Sequence, residues 1–294
     1  MPLTPDPVPS PRPNTTSYLA STTAIFGLLT WSLTPFAAQA ETLGYWRFEP
    51  QAFLADSGPH GSKLTTPGSK GAPIEYVSRS TGPGSAFPGK IAGKSNRGMA
   101  SGHHDFDYTF LERHFSADIS AAASKLISHL SIEAFVHLAR SSPHSMIIAG
   151  QGVQASDGAA WGLTVTSEKN ETIGPLRLIF QFNKAGKEWG TNLTLVASDL
   201  SLEIGKDFYV AVTADFTDTS PEGITFYVKN LTDNTPLRTA GLAHSRHFTR
   251  IAAPTAPVTI GGDFQGKLPW FGVIDEVRLS DTKLSPAQLL INQQ

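Results

Sequence analysis

The 294-residue sequence contains no cysteine, and this absence excludes several classes of site. Disulfide bonds, thiolate nucleophiles, zinc–thiolate centres, iron–sulfur clusters and a lipid-modified cysteine anchor all require that residue. Any metal site must therefore use oxygen or imidazole ligands. Hard oxygen ligands favour calcium over the transition metals.

The sequence also has little excess of charge of either sign. Lysine and arginine number 23 against 25 acidic residues, which gives a formal net charge of −2, and the sequence has no run of basic residues. Proteins that bind nucleic acid need a basic surface to neutralise phosphates. Nucleic acid is therefore not an expected partner.

One long stretch with almost no charge lies near the amino terminus, over residues 18–33, and the small residues Ala38 and Ala40 follow it. This order predicts a signal peptide over residues 1–40, with the mature chain beginning at Glu41. An uncleaved membrane anchor is the weaker alternative, because Pro35 interrupts the segment and it falls short of about 20 strongly apolar residues. The mature chain is expected to be secreted or periplasmic and free of the membrane.

Turn-forming residues are abundant, with 26 glycines and 21 prolines. Between them, bulky apolar residues recur at every second position, which is typical of β-strands. The pattern predicts one domain over residues 41–294, an all-β antiparallel sandwich of two sheets. Eleven strands are expected, near residues 43–48, 74–79, 131–139, 145–150, 161–167, 176–183, 191–197, 207–216, 223–230, 257–261 and 270–280.

Two segments predict helices instead. Apolar residues at three- and four-residue steps favour an internal helix between Ser116 and Leu130. A short carboxyl-terminal helix is expected from Leu284, because Ser285 can cap it, Pro286 suits its first position and Gln288 completes a capping box.

The two ends of the mature chain resemble laminin-G-like, concanavalin A-like jelly-roll domains of exported bacterial proteins. The resemblance rests on segments 44–49 and 54–58 at the start and on 258–264 and 271–280 at the end. It implies a jelly roll that binds carbohydrate or protein, and a structural calcium ion near the strand carrying Ile274-Asp275-Glu276. Two strands that usually carry tryptophan have Phe135 and Phe208 here, and both substitutions keep an aromatic ring.

Asp275 lies in an apolar strand, where a carboxylate is costly to bury without a partner. If the alternation is regular, it shares a face with Val273, Val277 and Leu279. One interpretation is a calcium site formed with Glu49 or Asp56 and backbone carbonyl groups. The other is a hydrogen bond to backbone amides or an ion pair with Arg47 or Arg278.

Carbohydrate binding requires an aromatic ring beside polar side chains, because a sugar ring has an apolar face and a polar rim. Trp189, Asn192 and Trp270 lie in loop-like segments of that character and are the candidate ligand-binding residues. Trp46 and Trp161 are expected in the core instead.

Several sequence motifs that would indicate a specific catalytic or binding chemistry are absent or poorly matched. The alternating acids of laminarinase-type glucanases and the Gly-x-Ser-x-Gly elbow are absent from the sequence. The glycines of 150–155 imitate a dinucleotide motif, but a strand rather than a helix is expected after them. The segment from His103 to His114 is either a transition-metal site or, as we favour, a solvated polar loop.

We therefore expect a non-catalytic secreted module that binds a glycan or an extracellular protein. The alternative is a hydrolase or lyase acting on polysaccharide, and a structural role in the cell envelope is a third hypothesis. An enzyme would bring several polar side chains together in one open cleft. Convergence of Glu133, His137 and Tyr209 in such a cleft would favour it.

Cleavage of the predicted signal peptide gives the first test. Amino-terminal sequencing of the protein recovered after export should begin at Glu41, since signal peptidase requires small residues such as Ala38 and Ala40 before the cut. Replacing Ala40 with a bulky residue should block processing, whereas the same change at Ala37 should not. An exported protein that still begins at Met1 would contradict the prediction.

Overall fold

The computed structural model describes residues 42–48, 52, 54–65, 75–78, 97–101, 115–118, 126–152, 160–183, 193–242, 251–252, 256–263 and 268–293. Contacts divide the chain between Gln39 and Ala40 into two units, and all described residues belong to the second. The predicted signal peptide and the segment from His103 to His114 lie outside them and stay predictions. No helix formed by the described residues is long and apolar enough to span a membrane.

The described residues form sixteen β-strands. In chain order these are β1 (Thr42–Trp46), β2 (Glu75–Ser78), β3 (Arg97–Ser101), β4 (Phe115–Ala117), β5 (Leu126–Ile127), β6 (His129–Leu138), β7 (Met146–Gln151), β8 (Ala160–Val165), β9 (Arg177–Asn183), β10 (Leu193–Ser201), β11 (Asp207–Asp215), β12 (Ile224–Asn230), β13 (Arg238–Leu242), β14 (Ile251–Ala252), β15 (Val258–Ile260) and β16 (Gly272–Ser280).

The strands pair antiparallel in two main sheets. The first has the order β13-β12-β11-β6-β16-β3-β2, and β1 pairs with β16 as its eighth strand. The second has the order β10-β9-β8-β7-β15-β4, and β14 pairs with β5 separately. This arrangement confirms the predicted all-β sandwich of two antiparallel sheets with jelly-roll character.

The core lies between the two sheets because each central strand turns alternate residues inward. In β6 the even-numbered residues from Leu130 to Leu138 join the core, and the odd-numbered ones face outward. Across the gap, Phe180 and Phe182 of β9 pack against Phe216 with ring centroids 5.1–6.3 Å apart. Trp46 and Trp161 are also fully buried, as predicted.

All eleven predicted strands are present. The internal helix predicted between Ser116 and Leu130 is wrong at both ends, and residues 119–125 lie outside the described part of the chain. β4 begins before Ser116, and β5 and the start of β6 occupy the other end of the segment. A short run of apolar residues is compatible with the period of a helix and with that of a strand. Pairing with neighbouring strands makes these described segments strands. Five of the described strands, β3, β4, β5, β13 and β14, were not predicted. Among them, the exposed edge strand β13 has few alternating apolar residues.

The carboxyl terminus forms two 3₁₀ turns, Pro286–Gln288 and Leu290–Asn292, where a short helix was predicted. The predicted start is correct: Pro286 occupies the first position, and the Gln288 side chain accepts the Ser285 N–H at 2.9 Å. Beyond Gln288 the chain bends, and Leu289 and Leu290 pack on the outer face of the first sheet with Phe135 and Tyr209.

Strand β16 contains a bulge that changes the predicted orientation of its side chains. Asp275 pairs with Phe135, but the next partner pair is Arg278 with Glu133, so β16 has one extra residue there. Glu276 has a φ of 47°, an uncommon value for a residue with a side chain. Asp275 therefore shares the outer face with Val273, as predicted. Val277 and Leu279 lie in the core instead, and that part of the prediction is wrong.

Candidate functional site

The structure places Trp270 where it cannot meet a sugar. Its side chain is 0% exposed, and its indole N–H donates to the backbone oxygen of His137 at 3.1 Å. A ring without exposed surface cannot stack on a ligand, so the expected ligand contact of Trp270 is corrected to a structural role. Trp189 and Asn192 lie outside the described residues and stay predictions.

Trp270 is also distant from the strand ends that flank residues 184–192. Leu268, two residues before Trp270, accepts the N–H of Ile147 near the start of β7. The far end of β7 pairs through β8 with Asn183, the last described residue before 184–192. Strand β7 separates these two ends by about 15 Å at 3.3 Å per residue.

Of the acids predicted to hold calcium, Asp56 has a clear structural role. Its Oδ1 accepts the N–H groups of Tyr45 and Gly58 at 2.8 and 2.7 Å, and its Oδ2 accepts that of Ser62 at 2.9 Å. Residue 56 bridges to Trp46 on the side of β1 opposite β16. Two strand spacings place its backbone about 10 Å from β16, so the structure does not bring Asp56 and Asp275 together.

Asp275 is 1% exposed and lies at the bulge, next to the equally buried Glu276. Its Oδ1 accepts the N–H of Glu276 at 2.9 Å, which matches the backbone-amide interpretation. Glu276 accepts the Tyr45 hydroxyl at 2.9 Å, and Arg47 Nε lies 3.9 Å from it. Among the described residues no three acidic or histidine side chains cluster as a metal site would require. Glu49 is not among them.

The most extensive polar contact of the described residues surrounds Glu133, which is 0% exposed. Its Oε1 accepts the Tyr209 hydroxyl at 2.5 Å and the Leu290 N–H at 2.7 Å. Its Oε2 accepts Arg278 Nε and Nη2 at 2.6 and 2.5 Å. Four donors thus satisfy both oxygens of this carboxylate.

The carboxyl-terminal turns complete this network. Arg278 Nη2 also donates to the Gln288 backbone oxygen at 2.6 Å, and Nη1 to the Gln293 side chain at 3.3 Å. Burial raises the pKa of Glu133, while the nearby Arg278 cation and the hydrogen bonds act in the lowering direction. Burial and the Glu133 charge raise the pKa of Tyr209, so its phenol stays protonated and donates.

This geometry does not meet the criterion for an open catalytic cleft. Glu133 and Tyr209 meet as the enzyme hypothesis required, but the residues that cover them leave the carboxylate no exposed surface. His137 contacts Asp207 instead, with Nδ1 2.7 Å from Oδ1. Sequence analysis missed Arg278 as the partner of Glu133, although an acid at an alternating position of a buried strand signals the need for a cation.

Three polar residues on the outward face of the second sheet are buried, whereas Leu195 on the edge strand β10 is 47% exposed. Thr164, Gln181 and Thr259 alternate with core residues on their strands, so they point away from the core. All three are nonetheless buried, at 0%, 8% and 1% exposure. These positions offer no open surface to a ligand.

Comparison with known families gives one match. The sequence model of the family described as the concanavalin A-like lectin/glucanases superfamily matches residues 116–290, more than half of the chain. No curated protein sequence matches the chain.

Solved structures share the fold at low sequence identity. Domain 4 of AbnA, a GH43 extracellular arabinanase from Geobacillus stearothermophilus determined in complex with arabinotriose, is 16% identical with a TM-score of 0.53, covering 87% of this chain and 99% of that chain. The binding domain of botulinum neurotoxin serotype G is 11% identical with a TM-score of 0.51, covering 83% of this chain and 49% of that chain. At these identities the likeness concerns the fold alone.

The Glu133 network predicts a large effect of a small substitution. Glu133→Gln removes the counter-ion of Arg278, and leaving one member of a buried ion pair uncompensated costs about 3–5 kcal/mol. Urea unfolding measures the loss. Lys206→Gln, which breaks the exposed pair between Lys206 and Asp233, is the matched control and should leave stability unchanged.

A double variant keeps this prediction testable if Glu133→Gln alone does not fold. Glu133→Gln with Arg278→Met removes both charges, so it should be more stable than Glu133→Gln alone. Equal stability of the single variant and the unsubstituted chain would contradict the role assigned to the pair.

Proposed function

The chain belongs to the concanavalin A-like lectin/glucanase superfamily, and we propose that it is an exported, non-catalytic module that binds carbohydrate. Export follows from the signal peptide predicted over residues 1–40. Carbohydrate follows from the sugar-binding members of the superfamily and from the arabinotriose in the structure of the arabinanase domain.

The observation that supports a non-catalytic role is that donors within the protein occupy both carboxylate oxygens of Glu133. A carboxylate that acts as general acid, general base or nucleophile must reach its substrate. Here both oxygens of Glu133 are held by Tyr209, Arg278 and the Leu290 N–H. These contacts also bury Glu133 beneath the carboxyl-terminal turns. Glu133 and Arg278 are therefore arranged as a structural ion pair.

Glycan binding is tested with the full chain on an array of neutral and acidic oligosaccharides, followed by calorimetry on the strongest ligand. Arabinotriose is included because the structure of the arabinanase domain was determined in complex with it. We expect at least one neutral oligosaccharide to bind without being cleaved, as measured by chromatography of the recovered ligand. Absence of any bound oligosaccharide would contradict the proposal, and release of shorter sugars would favour the enzyme hypothesis.

A structural calcium ion is a separate part of the proposal, with Asp275 as its ligand. Calcium takes six to eight oxygen ligands, and a carboxylate buried to 1% supplies one of the kind it prefers. The three N–H groups bound by Asp56 give that residue another role, so Glu49 becomes the acid expected to join Asp275.

Chelation tests the calcium proposal. An ion at about 100 times its dissociation constant stabilises a fold by about 2.7 kcal/mol, so the melting temperature should fall by several degrees in EDTA and recover with excess calcium. Asp275→Asn should abolish this response. Asp281→Asn, which changes an acid just after β16, should retain it. A melting curve that EDTA leaves unchanged would remove calcium from the proposal.

A further inference from the structure

Two histidine–aspartate pairs join β6 to β11, and they differ in a way that points to function. At one end His129 lies 3.5 Å from Asp215, with side chains 43% and 23% exposed. At the other end His137 lies 2.7 Å from Asp207, with side chains 16% and 2% exposed. The first is a loose surface pair. In the second, a buried carboxylate fixes the orientation of a partly exposed imidazole.

The backbone of His137 is fixed as firmly as its ring. Its carbonyl oxygen accepts the indole N–H of Trp270 at 3.1 Å. Gly272 packs against the same oxygen: its φ is 153°, and a Cβ added there would lie 1.9 Å from it. Any larger residue at 272 would therefore displace His137. Asp207 thus holds the ring of His137, and Trp270 and Gly272 hold its backbone carbonyl group.

The Asp207 contact also determines which ring nitrogen is available. A carboxylate accepts hydrogen bonds, so Nδ1 carries a proton, and in the tautomer that this contact selects Nε2 keeps its lone pair. Among the described residues, Nε2 has no hydrogen-bond or ion-pair partner, and it is not one of their buried unsatisfied atoms. An oriented imidazole with a free acceptor nitrogen is thereby presented at the surface.

The ionisable side chains near His137 already have partners. Asp207 binds His137 itself, Lys206 binds Asp233 at 2.8 Å, and the Arg140 guanidinium lies over the Phe271 ring at 4.4 Å. A ligand at this place therefore meets the imidazole nitrogen rather than an unpartnered charge. The ligand group that matches a neutral Nε2 acceptor is a hydroxyl.

We infer that His137 Nε2 accepts a hydrogen bond from a hydroxyl group of the bound glycan, at the end of the first sheet where β6 ends and β11 begins. The inference rests on the proposed carbohydrate binding and assigns a contact to it. Of the described residues, the strand ends that flank residues 184–192 lie at the opposite end of the sandwich from His137.

Two substitutions separate ligand contact from structural support. Asparagine places its amide near the position of Nδ1, so His137→Asn keeps a donor for Asp207 and removes Nε2. Glutamine places its amide near the position of Nε2, so His137→Gln keeps an acceptor there. We expect His137→Asn to weaken glycan binding about tenfold, which is the value of one hydrogen bond to a ligand, and to leave the melting temperature unchanged. His137→Gln should weaken binding less.

The control is His129→Asn, which changes the loose pair on the same two strands and should leave the affinity unchanged. Calorimetry with the oligosaccharide selected by the array measures all four proteins. Unchanged affinity in His137→Asn would overturn the inference. If Trp189→Ala alone weakens binding, the proposed function stands and the contact at His137 is wrong; if no oligosaccharide binds to the unsubstituted chain, both fail.

Two spectroscopic and chemical measurements test the free nitrogen directly. Imidazole ¹⁵N chemical shifts should show that the tautomer of His137 with the proton on Nδ1 is the one populated. Diethyl pyrocarbonate should acylate His137, and bound oligosaccharide should protect it. The opposite tautomer, or acylation that the ligand does not slow, would overturn the inference.

Discussion

The ion pair between Glu133 and Arg278 is the constraint on which the organisation of the first sheet depends. Burial of a lone carboxylate costs several kcal/mol, so Glu133 requires donors on every side. Tyr209 supplies one from β11, Arg278 two from β16, and Leu290 one from the carboxyl-terminal turns. A single acid therefore couples two neighbouring strands and the end of the chain.

This coupling also determines which surfaces remain for recognition. The carboxyl-terminal turns add Leu284, Leu289 and Leu290 to the apolar cluster on the outer face of the first sheet. Thr164, Gln181 and Thr259 on the outward face of the second sheet are buried as well, although Leu195 on the edge strand β10 is exposed. The proposed recognition is placed at the ends of the sandwich, where the strands give way to loops, as is common when a rigid scaffold positions variable segments.

The two ends differ in how they are built. At the end that holds His137, an indole, a glycine and a buried carboxylate fix one imidazole. At the other end His129 and Asp215 form a looser contact between the same two strands. A preorganised polar group costs less to order when a ligand binds, and the proposed ligand contact is placed at the His137 end for this reason.

Strand positions and the two-layer architecture were predictable from the sequence alone, because alternation between apolar and polar residues is a local property of each strand. So was the capped start of the carboxyl-terminal turns at Ser285 and Pro286. Strand order, the bulge at Glu276, the burial of Trp270 and the pairing of Glu133 with Arg278 were decided by the tertiary structure. Each depends on register between strands distant in the chain: Glu133 and Arg278 are 145 residues apart, and one extra residue in β16 reverses which side chains face the core.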